Sequence, residues 1–256
     1  MSHPITDIVV LTYNNSNILD RFLNCLYKNT SDFNLIIVDN NSSDNSVNHI
    51  KSFQRKETNI TLLEEKTNHG VAGGRNIGIK AGTSEYVLCI DSDQFVLTSC
   101  WLNELFMILN KGYDSVGVDA WEMRPSNYKA SPYHPFKNCK NVHDGYTYVG
   151  GGGHLVPRKI FEELDFFDDN YSPAFWEDSD FGFKMSKKNY KTIWHYKQNI
   201  YHLGHQTLGK KINYSISDQF KKSRDYFIKK WYPYFPKKQN SLMLSKILPE
   251  IFKKEK

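Results

Sequence analysis

A chain of 256 residues, with 39% apolar and 24% charged residues, can bury a sizeable core and is too balanced in composition to be disordered. No run approaches the roughly 18 apolar residues of a membrane span. The opening Met-Ser-His-Pro-Ile-Thr-Asp lacks the basic and apolar regions of a secretion signal, so a cytoplasmic location is expected. The net charge of +5 gathers late in the chain, where Lys210-Lys211, Lys221-Lys222, Lys229-Lys230, Lys237-Lys238 and Lys253-Lys254 alternate with aromatic residues. A basic helical tail over 210–256 is expected, either a solvated face or a peripheral contact with anionic lipid at the inner face of a membrane. Cys25, Cys89, Cys100 and Cys139 form no C-x-x-C pair and read as free thiols.

From the N-terminus, residues 8–11 are an apolar run that predicts a strand. Ile18, Leu19, Phe22, Leu23, Leu26 and Tyr27 then recur at helical spacing. Strands follow at 35–38, 60–63 and 86–90, separated by helices around Val47, Ile50 and Phe53 and over 71–81. This alternation predicts an α/β protein with a mostly parallel sheet, helices on both faces and right-handed crossovers. The strands are apolar throughout, as strands covered on both faces must be. Beyond 100 the pattern loosens. A helix is expected over 101–109, a strand over 116–118, a helix over 158–164 and a strand over 192–196. Gly150-Gly151-Gly152-Gly153 calls for unusual backbone freedom or for close approach by another group.

Polar residues collect just past the strand ends: Thr12-Tyr13-Asn14-Asn15, the run from Asp39 to Asp44, and Asp91-Ser92-Asp93. Three strands delivering polar side chains to one rim is how an open α/β sheet builds a ligand site. In the last of these, two carboxylates at i and i+2 share one side of the chain. Their hard oxygens suit Mg²⁺ or Mn²⁺ carrying a phosphorylated ligand. The plainer reading is a turn that caps a following helix, with Asp93 or Thr98 as the cap.

In this order, Val10-Leu11-Thr12-Tyr13-Asn14, the segment from Ile37 to Asp44, Asn68-His69-Gly70 through Arg75-Asn76-Ile77-Gly78, Asp91-Ser92-Asp93 and Phe175-Trp176-Glu177-Asp178-Ser179-Asp180 resemble the motifs of an inverting family 2 glycosyltransferase of the GT-A fold. The resemblance covers about residues 5–205. It implies a transferase domain over 1–209, with a nucleotide-binding half to about 120 and an acceptor-binding half over 121–209. It also implies a nucleotide-diphosphate sugar donor, UDP-sugar above others, with Mn²⁺ or Mg²⁺ as cofactor. The acceptor would be a glycan or a lipid-linked or polymer hydroxyl, and no nucleic-acid partner is expected.

Carried over to this sequence, the resemblance gives Asp39 the nucleotide base, with Thr12, Tyr13 and Asn14 beside it. It gives Arg75 either the diphosphate or the bracing of Asp91, and places Asp91 and Ser92 at the nucleotide. Asp93 is the expected metal ligand, with His202 completing the shell and His205 as competitor. Asp178 is the expected base that takes the acceptor proton, with Glu177 as alternate. Trp176 is expected to stack on the acceptor sugar, and His154 to line its pocket. Each has a structural alternative: Asp39 as a turn residue, Asp178 to Asp180 as a helix cap, His154 as a core or surface histidine. A nucleotidyltransferase is disfavoured because the loop after the first strand has no lysine or arginine. A non-catalytic binding module and a retaining transferase stay open at the level of sequence.

Overall fold

The computed structural model describes residues 3–124, 129–132, 140–141, 147–195, 200–204 and 214–231. The first half runs β1 (Thr6–Thr12), α1 (Ser16–Asn29), β2 (Phe33–Asp39), α2 (Ser46–Gln54), β3 (Ile60–Glu64), α3 (Gly70–Ala81) and β4 (Tyr86–Asp91). A short β5 (Gln94–Val96), α4 (Trp101–Leu109), β6 (Ser115–Gly117), β7 (Ala120–Arg124), β8 (Lys129–Pro132), β9 (Lys140–Asn141) and β10 (Thr147–Val149) come next. The chain continues through β11 (His154–Pro157), α5 (Arg158–Glu163), α6 (Glu177–Lys187), β12 (Thr192–Trp194), β13 (Ile200–His202) and α7 (Ile216–Trp231).

The main sheet has the order β3-β2-β1-β4-β11-β6-β12-β9, and β1 to β4 are mutually parallel. β11 and β9 run against their neighbours, while β12 is parallel to β6. From β1 the chain steps outward to β2 and β3 and then returns to the other side of β1 as β4. That reversal opens a crevice at the carboxyl ends of β1 and β4. Thr12 and Asp91 stand at its lip.

Both faces of the sheet are covered, which is why its strands are apolar throughout. One face packs Leu19, Phe22, Leu23 and Leu26 of α1 with Ile50 of α2 and the apolar side of α4. The other packs Ala72 and Ile79 of α3, Phe161 of α5, and Phe181 and Met185 of α6. Each of the larger side chains, fully buried, contributes about 1.5–3 kcal/mol relative to exposure. The plainer expectation, that Asp91 to Asp93 open a helix, is not met: the triplet turns tightly into β5. That strand pairs antiparallel with β13, setting His202 opposite Gln94.

The described part of the expected basic tail is α7. Its apolar residues Phe227, Ile228 and Trp231 are buried against the domain, leaving Lys221, Lys222 and Lys229 exposed. Its oily face is therefore covered by protein. No helix among the described residues is long and apolar enough to cross a membrane. His205, Cys139 and the segment 237–256 lie outside the described residues.

Candidate active site

Parallel register places Thr12 directly beside Asp39 at the ends of β1 and β2. Asp39 performs the turn role: its Oδ2 accepts from the Ser42 amide at 3.0 Å. Its other oxygen, Oδ1, is buried with no hydrogen-bond partner among the described residues, and so is the Thr12 hydroxyl. A buried polar atom left unpaired costs about 1–3 kcal/mol, and two on neighbouring strand ends call for an outside partner. Asn14, held at φ 53, ties the two loops together. Its amide donates to Ser42 Oγ at 2.9 Å and its Oδ1 accepts from the Ser43 amide at 2.7 Å. Tyr13 is half-buried on the same loop.

At the end of β4, Asp91 and Asp93 project together, as their spacing predicts. The β5–β13 pairing brings back His202, and one ligand atom from each of the three lies within 4.8 Å of the others. His202 Nε2 is 3.3 Å from Asp93 Oδ1, and its Nδ1 is 3.9 Å from Asp119 Oδ2. Burial lowers the proton affinity of this ring, but the Asp119 and Asp93 carboxylates override it and hold its pKa at about 10. Two carboxylates and an imidazole fit a small divalent cation. Ser92 faces the other way. Its buried hydroxyl accepts from Asn15 Nδ2 at 2.9 Å, so its side chain fastens the turn to the start of α1 and does not face the cluster.

Arg75 makes the bracing contact expected of it. The residue is 6% exposed, and Nη2 donates to Asp91 Oδ1 at 2.7 Å while Nη1 lies 3.5 Å from Glu177 Oε1. It braces carboxylates from two ends of the site. The neighbouring Asn76 turns away, bonding the Phe167 carbonyl and Asp169 Oδ1, both at 2.8 Å. The glycine run explains itself here. A Cβ on Gly151 would lie 2.1 Å from Arg75 Nη1, and one on Gly152 would lie 2.6 Å from Asp91 Oδ2. Only bare backbone fits over this arginine and carboxylate.

Glu177 and Asp178 occupy the first turn of α6. Glu177 is buried, and its Oε2 has no partner among the described residues. Burial and the adjacent Asp178 push its pKa up to about 7, against the pull of Arg75. Asp178 is only partly buried and accepts from the Ser179 amide at 2.7 Å and from the Gly151 amide. Burial raises its pKa as well, with Arg75 opposing. Of the two carboxylates, Asp178 is the one with an open approach.

Two expected acceptor contacts are corrected. Trp176 is 3% exposed, and its ring packs at 5.5 Å on Phe220 and 5.1 Å on Phe227 of α7, so no face remains for a sugar. His154 is 3% exposed on β11, 3.0 Å from Ser115 Oγ and edge-on to Phe181. Burial first, and Arg75 second, lower its pKa to about 3, so it is a neutral core histidine. Sequence reasoning misses Asp119, Gln94 (whose Oε1 accepts from the Asp91 amide at 2.8 Å) and the Gly151 amide. For the last of these, the glycine run is a visible signal.

The family described as Glycosyl transferase family 2 matches residues 7–165, well over half of the chain. The chain belongs to glycosyl transferase family 2. An uncharacterized glycosyltransferase of Haemophilus influenzae is 31% identical over 112 residues, 43% of this chain and 45% of that protein. A poly(ribitol-phosphate) beta-glucosyltransferase of Bacillus spizizenii is 32% identical over 93 residues, 35% of this chain and 15% of that protein. The chain thus spans less than half the length of these curated relatives. Among solved structures, TarS 1–349 of S. aureus in complex with UDP-GlcNAc superposes with a TM-score of 0.68 at 18% identity, over 97% of this chain and 73% of that one. The mannosyltransferase PcManGT of Pyrobaculum calidifontis, in complex with GDP-Man and Mn²⁺, gives 0.60 at 14% identity, over 95% and 79%. At that identity the shared property is the fold, which is GT-A. The family match ends just after α5, so Glu177, Asp178, His202 and α7 of this family 2 chain lie beyond it.

Proposed function

We propose that this chain is a metal-dependent inverting glycosyltransferase. It moves a sugar from a nucleotide-diphosphate sugar, UDP-sugar in the first place, to a hydroxyl of a glycan or lipid-linked acceptor. The observation that carries the reading is the position of Arg75, which joins Asp91 of the carboxylate–histidine cluster to Glu177, neighbour of the accessible Asp178. A donor-holding group and a proton acceptor are thereby held in one frame.

Asp39 Oδ1 is an acceptor aimed at the rim, suited to the imide N–H of uracil, with the Thr12 hydroxyl beside it. Asp93, His202 and the free oxygen of Asp91 would hold Mn²⁺ or Mg²⁺, and the imidazole favours Mn²⁺. A cation bound there supplies positive charge for the departing diphosphate. Asp178 accepts the proton of the acceptor hydroxyl as the new C–O bond forms and the bond to the diphosphate breaks, the electron pair leaving with the phosphate oxygen. Its raised proton affinity makes it a stronger base than an ordinary aspartate. Glu177 stays on Arg75, fixing the arginine between the two halves. The UDP-GlcNAc held by TarS supports a uridine donor, and GDP-Man on PcManGT makes GDP the competing nucleotide.

Thermal-shift titrations of UDP and GDP with and without Mn²⁺ test this. UDP should raise the melting temperature, more with Mn²⁺ than without, and the metal increment should vanish in Asp93→Ala. Stabilisation that is the same in wild type and Asp93→Ala, with or without metal, would remove the cluster from donor binding.

A further inference from the structure

α7 lies beyond the family match and carries none of the expected site residues. It nevertheless grips the segment that delivers Glu177 and Asp178, at two places. The first is the turn before α6. Phe175 (φ 77) and Trp176 (φ 74) are consecutive left-handed residues. For bulky side chains this conformation is strained and persists only where the surroundings impose it. Gln219, 7% exposed, points its amide nitrogen into the carbonyls that lead into this turn. Nε2 lies 3.4 Å from the Tyr171 carbonyl and 3.3 Å from those of Ser172 and Ala174. It also donates to Ser223 Oγ at 2.9 Å, and Ser223 in turn donates to the Ala174 carbonyl at 3.1 Å. Phe220 and Phe227 close on the Trp176 ring from the same helix.

The second grip is on the first turn of α6 itself. Asp180 is fully buried and accepts from Trp231 Nε1 at 2.7 Å, from the Tyr171 hydroxyl at 3.1 Å and from Lys230 at 2.9 Å. Its amide donates to the Trp176 carbonyl at 2.9 Å, so the turn and the helix start move as one piece. A buried carboxylate with donors from three residues has one low-energy position. Asp178 sits two residues before it, and its own reach to the Gly151 amide depends on where that helix begins.

We propose that α7 is a positioning element of the active site, in which Gln219 fixes the Phe175–Trp176 turn and thereby aims Asp178 at the acceptor hydroxyl. The proposal rests on the reading of Asp178 as the base. Gln219 touches neither donor nor acceptor and acts through the turn alone. A displacement of about 1 Å at the start of α6 carries Asp178 off line, and errors of that size reduce turnover by about a hundredfold. Asp39, Thr12, Asp91 and Asp93 stand on other elements and keep their places.

The test uses the full chain with Gln219→Leu, which keeps the volume and removes the donor, and with Ser223→Ala as a milder variant. The readouts are release of UDP from UDP-GlcNAc with Mn²⁺, UDP affinity by calorimetry, and the melting temperature. In Gln219→Leu, kcat should fall about 30- to 100-fold, with KM for UDP-GlcNAc and Kd for UDP within about twofold of wild type. Ser223→Ala should fall about threefold in kcat alone. The acid limb of the kcat profile should move to lower pH in Gln219→Leu, because a loosened turn admits water to Glu177 and Asp178. Arg75, Asp91 and Tyr214, which face that pair, are unchanged. Wild-type kcat and profile in both variants would overturn the proposal. So would a parallel loss of kcat, UDP affinity and melting temperature, since that marks a fold contact and not a positioning one. A wild-type chain that binds UDP yet releases none from UDP-GlcNAc, UDP-glucose or (as GDP) from GDP-mannose would instead bring down the transferase reading, and this proposal with it.

Discussion

The rim at β1, β2 and β4 and the interior of the wall formed by α6 and α7 treat their buried carboxylates differently. On the rim, Thr12 Oγ1 and Asp39 Oδ1 are buried without partners among the described residues, and Asp91, Asp93 and His202 converge with Arg75 gripping the first of them. Deeper in the wall, Asp180 and Asp168 are saturated by Lys230, Trp231, Tyr171 and Tyr226, and at the start of α6, where the wall meets the site, Trp176 Nε1 and Glu177 Oε2 lack partners among the described residues. Unsatisfied polar atoms mark where a ligand completes the structure, and saturated ones mark where the structure holds itself. Arg75 is the seam between the two, and the contrast can be attacked from either side of it.

The largest effect should come from cutting the seam. Arg75→Met leaves the buried Glu177 and the half-buried Asp91 without their cation; breaking a fully buried pair costs about 3–5 kcal/mol, and the exposure of Asp91 sets the expected loss at the lower end of that range. Urea unfolding reads it, and a loss below about 1 kcal/mol would mean that rim and wall are not joined through this residue. Asp39→Asn probes the rim alone. Hydrogen bonds to charged groups contribute about 1.5–3 kcal/mol, so UDP affinity should weaken by roughly tenfold to a hundredfold. An unchanged Kd by calorimetry would place the base elsewhere.

The smallest effect concerns an unsaturated carboxylate at the edge of the wall. Glu177 is held at about 7 against an ordinary 4.5, by burial and by Asp178. Below 4.5 folded and unfolded chains both keep the proton. Between 4.5 and 7 the unfolded chain releases it while the folded chain retains it, so rising pH favours unfolding. Wild type should therefore lose stability relative to Glu177→Gln across that window and run parallel to it above. Because Arg75 opposes the shift and Asp178 titrates beside Glu177, the change is on the order of 1 kcal/mol. Melting curves at about pH 4.5, 6 and 8 decide it: a gap that stays constant would show that Arg75 outweighs burial at this site.

The same contrast separates what the sequence shows from what it conceals. The apolar strands and the polar residues that follow them are local patterns, so the sheet, the switch point and the rim residues Thr12, Asp39, Asp91 and Asp93 can all be read in chain order. Ser92 between the two aspartates cannot, because period two sends it to Asn15, a partner 77 positions away. Four glycines in a row announce crowding, but not that Arg75 is the crowding group. Trp176 before two acidic residues looks like a sugar platform until Phe220 and Phe227 cover it. Gln219, among the lysines of α7, carries no signal at all, since its partners are carbonyls 45 to 48 positions earlier and carbonyls have no sequence.

One substitution examines Asp178 as the base that the rim serves. Asp178→Asn keeps the size and the hydrogen-bonding oxygen of the side chain but removes its capacity to take a proton. UDP release from UDP-GlcNAc with Mn²⁺, measured beside UDP affinity in the same preparation, should fall at least about a hundredfold while the Kd for UDP stays within about twofold. Turnover close to wild type, or a loss of UDP binding in step with turnover, would remove Asp178 from the role of base.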